Sequence, residues 1–406
     1  MTDGFRMARY CASDRHGVFE LMRAAVSERY ANHLMHQWDW KYDSHPLNAE
    51  AERTRKAYRA KFLPRLIETY SAELQESWRI NFDEFDSVPD DAPYILLLKD
   101  GERIIAMMGT LAQAFLIGGK RHLVTIPCDS AVHPDYRGQS LSMRMTLRLG
   151  SEHQLVMALA SSATHKVRTT WRKRTASERP AEYPGPVQMR VVAMVKPIDW
   201  SYMMHRATGL GLPRSVAKFM AAGAHRKHNP LAIPGVDVFR QESFDHRIDD
   251  LWRRASREYP VIGIRDANYL NWRFNSRPDA GFQCLAAVRG DNLIGYLIYR
   301  IVEQDGALWG YIVDFLAEGD PNDGFAMLLK RAEELMLREG VKSIVCSMAK
   351  ASFRRVLRRA GFYPAVLGRR LIMTAAITQP DADLSAYAEL SSWFLTMADG
   401  DTDMIL

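Results

Sequence analysis

The stretches "QWDWKYDSHP" (37–46) and "YLNWRFNSRP" (269–278) share one order: a tryptophan, a cation, an aromatic ring, polar residues and a proline. Trp40 matches Trp272, Lys41 matches Arg273, Tyr42 matches Phe274 and Pro46 matches Pro278. A chain that repeats one motif is constrained to fold twice in the same way if the flanks repeat too. They do. Before the first copy "RMARYCA" alternates as a strand does, Ser13 and Asp14 give a helix-capping signal, and Val18, Leu21, Met22, Ala25 and Val26 share a helical stripe. Before the second copy "VDVFRQESF" alternates, Asp245 can cap, and Ile248, Leu251, Trp252, Ala255 and Tyr259 form the matching stripe.

After each copy comes a hairpin, turning at Asp100-Gly101 in the first half and near Gly290-Asp291 in the second. Each hairpin leads to a strand, "HLVTIPCDSAV" or "LWGYIVDFLAE", then a helix, a strand, a helix and a last strand. This order predicts an α/β fold with a mixed, α+β-type sheet in each of two tandem domains. Residues 1–197 form the first domain, with a mostly helical insertion at 47–92 centred on "KAYRAKFLPRLIETYSAELQ". A helical connection and linker follows at 198–233, then the second domain at 234–380 and a C-terminal tail at 381–406.

Net charge is +6, which favours an anionic partner, although 54 basic residues are offset by 48 acidic ones. The densest basic stretch, 165–174, reads as a solvated helix face, so there is no strong nucleic-acid signal. The four cysteines form no CxxC pair and no histidine cluster has zinc spacing, so no metal is expected and a reducing, cytoplasmic compartment fits best. The N-terminus lacks an apolar signal region, and no apolar run reaches the roughly 20 residues of a transmembrane helix. Residues 201–224 mix apolar and basic side chains, but Pro213 and the glycines interrupt any long amphipathic face.

The chemistry concentrates in "CDSAVHPDYRGQSLSMRM" (128–145), where a strand runs through a turn into a helix. The first amides of such a helix are unpaired and, with the helix dipole, attract an anion. Gly138 permits close approach, Arg137 adds a charge, Arg144 and Arg148 share one helix face, and Leu141, Met145 and Leu149 share another. Small side chains at Ser140 and Ser142 leave those amides accessible.

"VHPDYRGQSLS" resembles the acyl-CoA loop of the GCN5-related N-acetyltransferase (GNAT) family, whose pattern is Arg or Gln, two residues, Gly, one residue, Gly or Ala. Aligned on Arg137 the sequence runs Gly138, Gln139, Ser140, Leu141, Ser142, with serines replacing small residues at two positions. The repeated element order also resembles the GNAT topology, once per half, and "RRAGFYPAVLG" (358–368) resembles the turn that ends its core. The resemblance implies tandem GNAT domains with acetyl-CoA, or another acyl-CoA, as co-substrate. It implies an N-acetyltransferase acting on a primary amine of a small molecule or sugar. The implied coenzyme-binding residues are Ala131, Val132, Arg137, Gly138, Gln139, Ser140, Leu141 and Ser142.

For catalysis the resemblance points to a base beside this loop. Asp129 is that base or a turn carboxylate, and His133 is a titrating group or a structural one. The tyrosine that protonates the leaving thiolate in this family has no counterpart in "THKVRTTWRKRT", where Trp171 or His165 is nearest in register. Cys128 reads as a small buried residue, and Trp40 and Trp272 read as core packing in preference to a substrate platform. At the equivalent turn the second half has "FLAEGDPNDG" (315–324), with no arginine and with Glu318, Asp320 and Asp323, which repel a diphosphate. Asn322 or Asp323 is expected to cap the helix there, and the second domain is expected to lack the coenzyme site. Two other readings fit the chain: a GNAT-fold binding protein without catalysis, and a FemABX-like aminoacyl transferase that uses charged tRNA.

Overall fold

The computed structural model describes residues 5–69, 85, 87–160, 187–209, 215–216, 234–278, 281–365, 371–377 and 390–400. The basic run 165–174 with Trp171 and His165, much of the insertion beyond Thr69, most of the linker and the last six residues lie outside them.

The first half opens with β1 (Arg6–Arg9), α1 (Arg15–Ala25) and α2 (Glu28–Trp38). The repeated motif follows as a π-helical turn over Asp39–Asp43, and α3 (Asn48–Thr69) begins the insertion. Then come β2 (Leu96–Asp100), β3 (Arg103–Ile117), β4 (Lys120–Val132), α4 (Leu141–Glu152), β5 (Leu155–Ala160) and β6 (Val187–Val191). After β7 (Ala193–Pro197) and α5 (Trp200–Thr208), the second half runs through β8 (Val236–Gln241), α6 (His246–Ala255), β9 (Val261–Gly263) and α7 (Ala267–Leu270). Its copy of the motif is again a π-helical turn, Asn271–Asn275. It continues with β10 (Gln283–Arg289), β11 (Asn292–Gln304), β12 (Ala307–Ala317), α8 (Gly324–Arg338), β13 (Ser343–Ser347), α9 (Ala351–Arg359), β14 (Tyr363–Pro364), β15 (Leu371–Ile377) and β16 (Trp393–Phe394).

Two mixed sheets result, in the orders β1-β2-β3-β4-β5-β15-β6 and β14-β7-β13-β12-β11-β10-β8. The final strands are exchanged. β7 follows β6 after one residue but pairs with β13 and β14 of the second sheet. In return β15, from the second half of the chain, lies between β5 and β6. The sequence pattern led to a last strand for each half's own sheet. Alternation shows that a segment pairs but not with which partner, and both exchanged strands are short enough to satisfy either sheet.

The two copies of the motif meet face to face. Trp40 and Trp272 stack with ring centroids 5.1 Å apart and planes 20° from parallel. Trp40 Nε1 donates to the Trp272 carbonyl at 2.8 Å, and Trp272 Nε1 donates to the Trp40 carbonyl at 3.4 Å. The next matched pair repeats the reciprocity, since His45 packs edge-on against Trp272 at 4.4 Å and the Arg277 guanidinium lies 5.4 Å over Trp40. The repeat therefore builds a pseudo-two-fold contact between the halves. Packing is what the sequence reading expected of the two tryptophans, and here it joins one half to the other.

On one face of the first sheet Leu141, Met145 and Leu149 of α4 pack on Leu96, Leu98, Ile105, Ala106 and Met108. Polar side chains fasten α3 to this layer. Arg55 bonds Glu52 at 2.9 Å and pairs with Glu152, Arg9 reaches Glu52 at 3.3 Å, and Tyr94 donates to Glu152 at 2.9 Å. Arg148 belongs to this buried group, paired with Glu152 and over the Phe85 ring, so it does not share a solvent-facing side with Arg144 beside the loop.

The reciprocal stack predicts non-additive losses. Trp40→Ala and Trp272→Ala should each cost about 3–5 kcal/mol in urea unfolding. The double variant should lose ~1 kcal/mol less than the sum, because the stack can be broken only once.

Candidate functional site: a fork beside an open turn

β4 and β5 run parallel but pair only at Thr125 and Val156, and beyond that point they diverge as a fork. On its other edge β4 stays hydrogen-bonded to β3 as far as Val132. The register slips between Met107 and Gly109, so Asp129 and Ser130 together face Met108 as a β-bulge. Asp129 takes φ +45°, a left-handed conformation that a non-glycine residue adopts only under constraint.

The constraint is the carboxylate's setting. Asp129 Oδ2 accepts from Lys41 Nζ at 2.6 Å and from the Tyr42 hydroxyl at 2.5 Å, and Oδ1 accepts from the Tyr30 hydroxyl at 2.5 Å. The Asp129 and Lys41 side chains are 1% and 3% exposed. Burial pushes the Asp129 carboxyl up, but the Lys41 charge and the three donors outweigh it and hold the group below its ordinary range. Burial, then the charge of Asp129, drives the Tyr42 hydroxyl well above its ordinary value, so it stays a donor. The Tyr42 hydroxyl occupies space that Gly109 leaves free, since a Cβ there would lie 2.0 Å from it. Cys128 Sγ is 3.3 Å from the same hydroxyl and is buried.

Past the bulge, His133 N–H donates to the Ile105 carbonyl at 2.8 Å. Strand alternation therefore turns the Ala131 amide toward β3 and the Val132 N–H and C=O into the fork. The chain then makes a short 3₁₀ turn, Pro134–Tyr136, and crosses Gly138 at φ +86° and Ser140 at φ +59° before α4 begins. Ser140 thus stands in a left-handed conformation that glycine adopts more easily, and its side chain makes no cap. Its carbonyl accepts from Met143 and Arg144. Among the described residues, the N–H groups of Gly138, Gln139, Ser140, Leu141 and Ser142 meet no acceptor, and residues 137–140 are exposed. These amides, at the positive end of a twelve-residue helix, form a concave donor set for an anion.

Arg137 donates to the Ala25 carbonyl at 2.9 Å, tying this turn to the end of α1. His133 faces away from the carboxylate cluster. Its Nε2 lies 2.9 Å from the Arg103 guanidinium, and its Nδ1 lies 3.3 Å from the Asp135 N–H, which it caps. Val132, Arg137, Gly138, Gln139, Ser140, Leu141 and Ser142 thus gather at the mouth of the fork. Asp129 lies beneath it, Ala131 turns away, and His133 braces the turn from outside. Sequence reasoning missed Tyr30 and the part played by Lys41. The one signal for Lys41 was a cation conserved between the two copies of a motif otherwise built for burial.

The second half repeats the device with other residues. A bulge at Val313 precedes Asp314, the repeat counterpart of Asp129. Asp314 accepts from Arg265 at 3.0 Å, from the Tyr296 hydroxyl at 2.7 Å and from Thr396 Oγ1 at 2.7 Å. At the adjoining turn Arg254 pairs with Glu318 at 2.6 Å, and Arg254 and Arg289, which come from outside the turn, line a cavity with Gly319, Asp323 and Gly324 at the opening of α8. Asp323 holds the cap position without a side-chain bond, and Asn322 is instead held by Asp320, so neither caps the helix as the sequence led one to expect.

No family model and no curated protein matches the sequence. Solved structures do match. N-myristoyltransferase from Saccharomyces cerevisiae with bound myristoyl-CoA is 12% identical, with a TM-score of 0.52 over 93% of this chain and 83% of that one. A probable N-acyltransferase from Enterococcus faecalis is 13% identical, TM-score 0.51, over 94% and 74%. A GCN5-related N-acetyltransferase from Anabaena variabilis is 10% identical, TM-score 0.51, over 92% and 73%. The chain therefore shares the fold of these proteins, with two mixed sheets in tandem. Among the described residues no helix is long and apolar enough to cross a membrane, and no three metal-ligating side chains are grouped.

Lys41→Met should uncover the carboxylate's burial. With its cation gone, Asp129 should titrate above its unfolded value of about 3.9, so its own contribution to stability should be complete below about pH 4 and be lost as pH rises. The wild type should behave in the opposite sense, losing the contribution of Asp129 as pH falls through its depressed value. Near pH 7 the variant should be about 3–5 kcal/mol less stable, read from urea unfolding across pH.

Proposed function

We propose that the protein is an acyl-CoA-dependent N-acyltransferase, most simply an acetyltransferase, that acylates a primary amine of a small molecule. The observation that carries this reading is the run of five acceptor-less amides from Gly138 to Ser142 at the mouth of the β4–β5 fork. A diphosphate fits that donor set, with Arg137 beside it. The Val132 C=O, turned into the fork, suits an N–H of a pantetheine arm. Of the solved structures it matches, one is an N-myristoyltransferase with bound myristoyl-CoA, one a probable N-acyltransferase and one a GCN5-related N-acetyltransferase. Carried to this chain, that supports an acyl-CoA donor and an amine acceptor.

The coenzyme supplies an activated thioester. The amine nitrogen forms the new bond to the acyl carbon, the carbon–sulfur bond breaks, and the proton lost by the amine balances the thiolate. The Val132 N–H is the donor placed to stabilise charge on the thioester oxygen. Asp129 is too deeply buried to touch an acceptor, and its depressed carboxyl suits a fixed anion better than a base working near neutral pH. We assign it to holding the bulge, and through the bulge the direction of the Val132 amide. His133 is assigned to bracing the turn.

Acetyl-CoA at 100 times its Kd should stabilise the protein by about 2.7 kcal/mol, seen as a rise in Tm, and Arg137→Glu should abolish that rise. Turnover should follow by thiol release with an amine panel. An absence of any shift across short and long acyl-CoAs would reject the coenzyme site, and a shift without turnover on any amine would reduce the protein to a coenzyme binder.

A further inference from the structure

The second half also has a fork. β12 and β13 pair from Trp309 with Ser343 to Ile312 with Cys346, and beyond that they part. Between their continuations lies the segment Trp393 to Asp399. The Ala398 N–H donates to the Val313 carbonyl on one arm at 3.2 Å, and the Leu395 carbonyl accepts from Ala349 N–H on the other at 3.2 Å. At its start the segment adds two residues, β16, in parallel to β9. By the matched carboxylates Asp129 and Asp314, this is the repeat counterpart of the place the first half keeps between β4 and β5.

The segment fits this place through side chains as well as backbone. Phe394 packs against Tyr259, Phe315 and Phe353 with centroids 4.7, 5.8 and 5.7 Å away. Thr396 Oγ1 donates to Asp314 at 2.7 Å. Asp399 accepts from Arg265 at 2.6 Å, from its own Thr396 amide at 2.8 Å and from Gln113 of β3 at 3.2 Å. Gly263 makes room for it, since a Cβ there would lie 2.5 Å from Asp399 Oδ1. Every residue from Trp393 to Asp399 is at most 5% exposed. The next residue, Gly400, accepts from Arg273 of the second motif turn at 2.9 Å.

We infer that the second fork is a peptide-binding slot and that its ligand is the chain's own segment Trp393–Asp399. The pattern is that of an extended peptide added to a sheet: few main-chain bonds to each arm, one aromatic anchor in an apolar pocket, and charged bonds that set the register. Arg265 is the receptor's cation, shared between its own Asp314 and the ligand's Asp399. Occupation in cis accounts for a second half that keeps the forked sheet although its turn, residues 315–324, carries no arginine of its own. It also gives the second half a task, which is to hold this segment against β3 and the motif turn. The inference stands on strand register and contacts, independent of the coenzyme reading.

The test uses the full chain with a specific protease site inserted between residues 378 and 389, cut after purification. The cut segment should stay bound through gel filtration and leave in urea below the concentration that unfolds the remainder. A fluorescein-labelled synthetic peptide of residues 390–400 should then rebind saturably, one per chain. A peptide carrying Thr396→Val and Asp399→Asn, or a cut chain carrying Gly263→Ala, should bind at least about tenfold more weakly, as expected for lost bonds to charged groups. Release of the segment only in a single transition with the whole chain would overturn the inference, making it core and not ligand. So would failure of the folded, segment-free chain to take up the peptide, or equal binding of the altered peptide.

Discussion

A buried carboxylate at a strand bulge is the constraint on which this structure depends. Asp129 in the first sheet and Asp314 in the second sit where a central strand slips register and parts from its parallel neighbour. An uncompensated charge there would cost several kcal/mol, so each half supplies a cation and hydroxyl donors: Lys41, Tyr30 and Tyr42 for one, Arg265, Tyr296 and Thr396 for the other. Once bonded, the carboxylate fixes the bulge, and in the first half the bulge sets the register that turns the Val132 amide into the fork. A fork in a sheet exposes strand edges that water or a ligand must satisfy. The first half meets this at a mouth lined by amides that have no acceptor among the described residues, the second by laying its own chain between the arms.

The remaining architecture keeps the two forks in fixed relation. Exchange of β7 and β15 gives each sheet a strand from the other half, so neither can unfold without disturbing its partner. The reciprocal tryptophan stack closes the contact on the side of the motif turns. His45, buried beside Trp272, is driven by its burial and then by the Arg273 charge to about 3, so it stays neutral and this contact does not titrate near physiological pH.

Much of this was legible in the residues. The motif pair, the hairpin turns at Gly101 and Gly290 and the strand-turn-helix around Gly138 announced a doubled α/β fold, because turn chemistry and periodicity are local properties. At the loop, Ser140 adopts the left-handed backbone that glycine would take more easily, at a modest conformational cost. What stayed hidden was non-local. Nothing in the sequence tells that Lys41 meets Asp129 or that β15 crosses to the first sheet. Nor does it tell that Trp393–Asp399, part of what reads as a tail, lies buried in the second fork. Asp323 makes no cap, and the Ala326 N–H that such a cap would serve goes instead to the Pro321 carbonyl at 3.2 Å.

The central claim is that the first fork, and not the second, receives the coenzyme. Amide hydrogen exchange of the intact protein with and without saturating acetyl-CoA tests it most directly. The account predicts slowed exchange at Val132 and across Gly138 to Ser142, with Gly319 to Gly324 unchanged. Slowing confined to the second turn, or none in either, would contradict it.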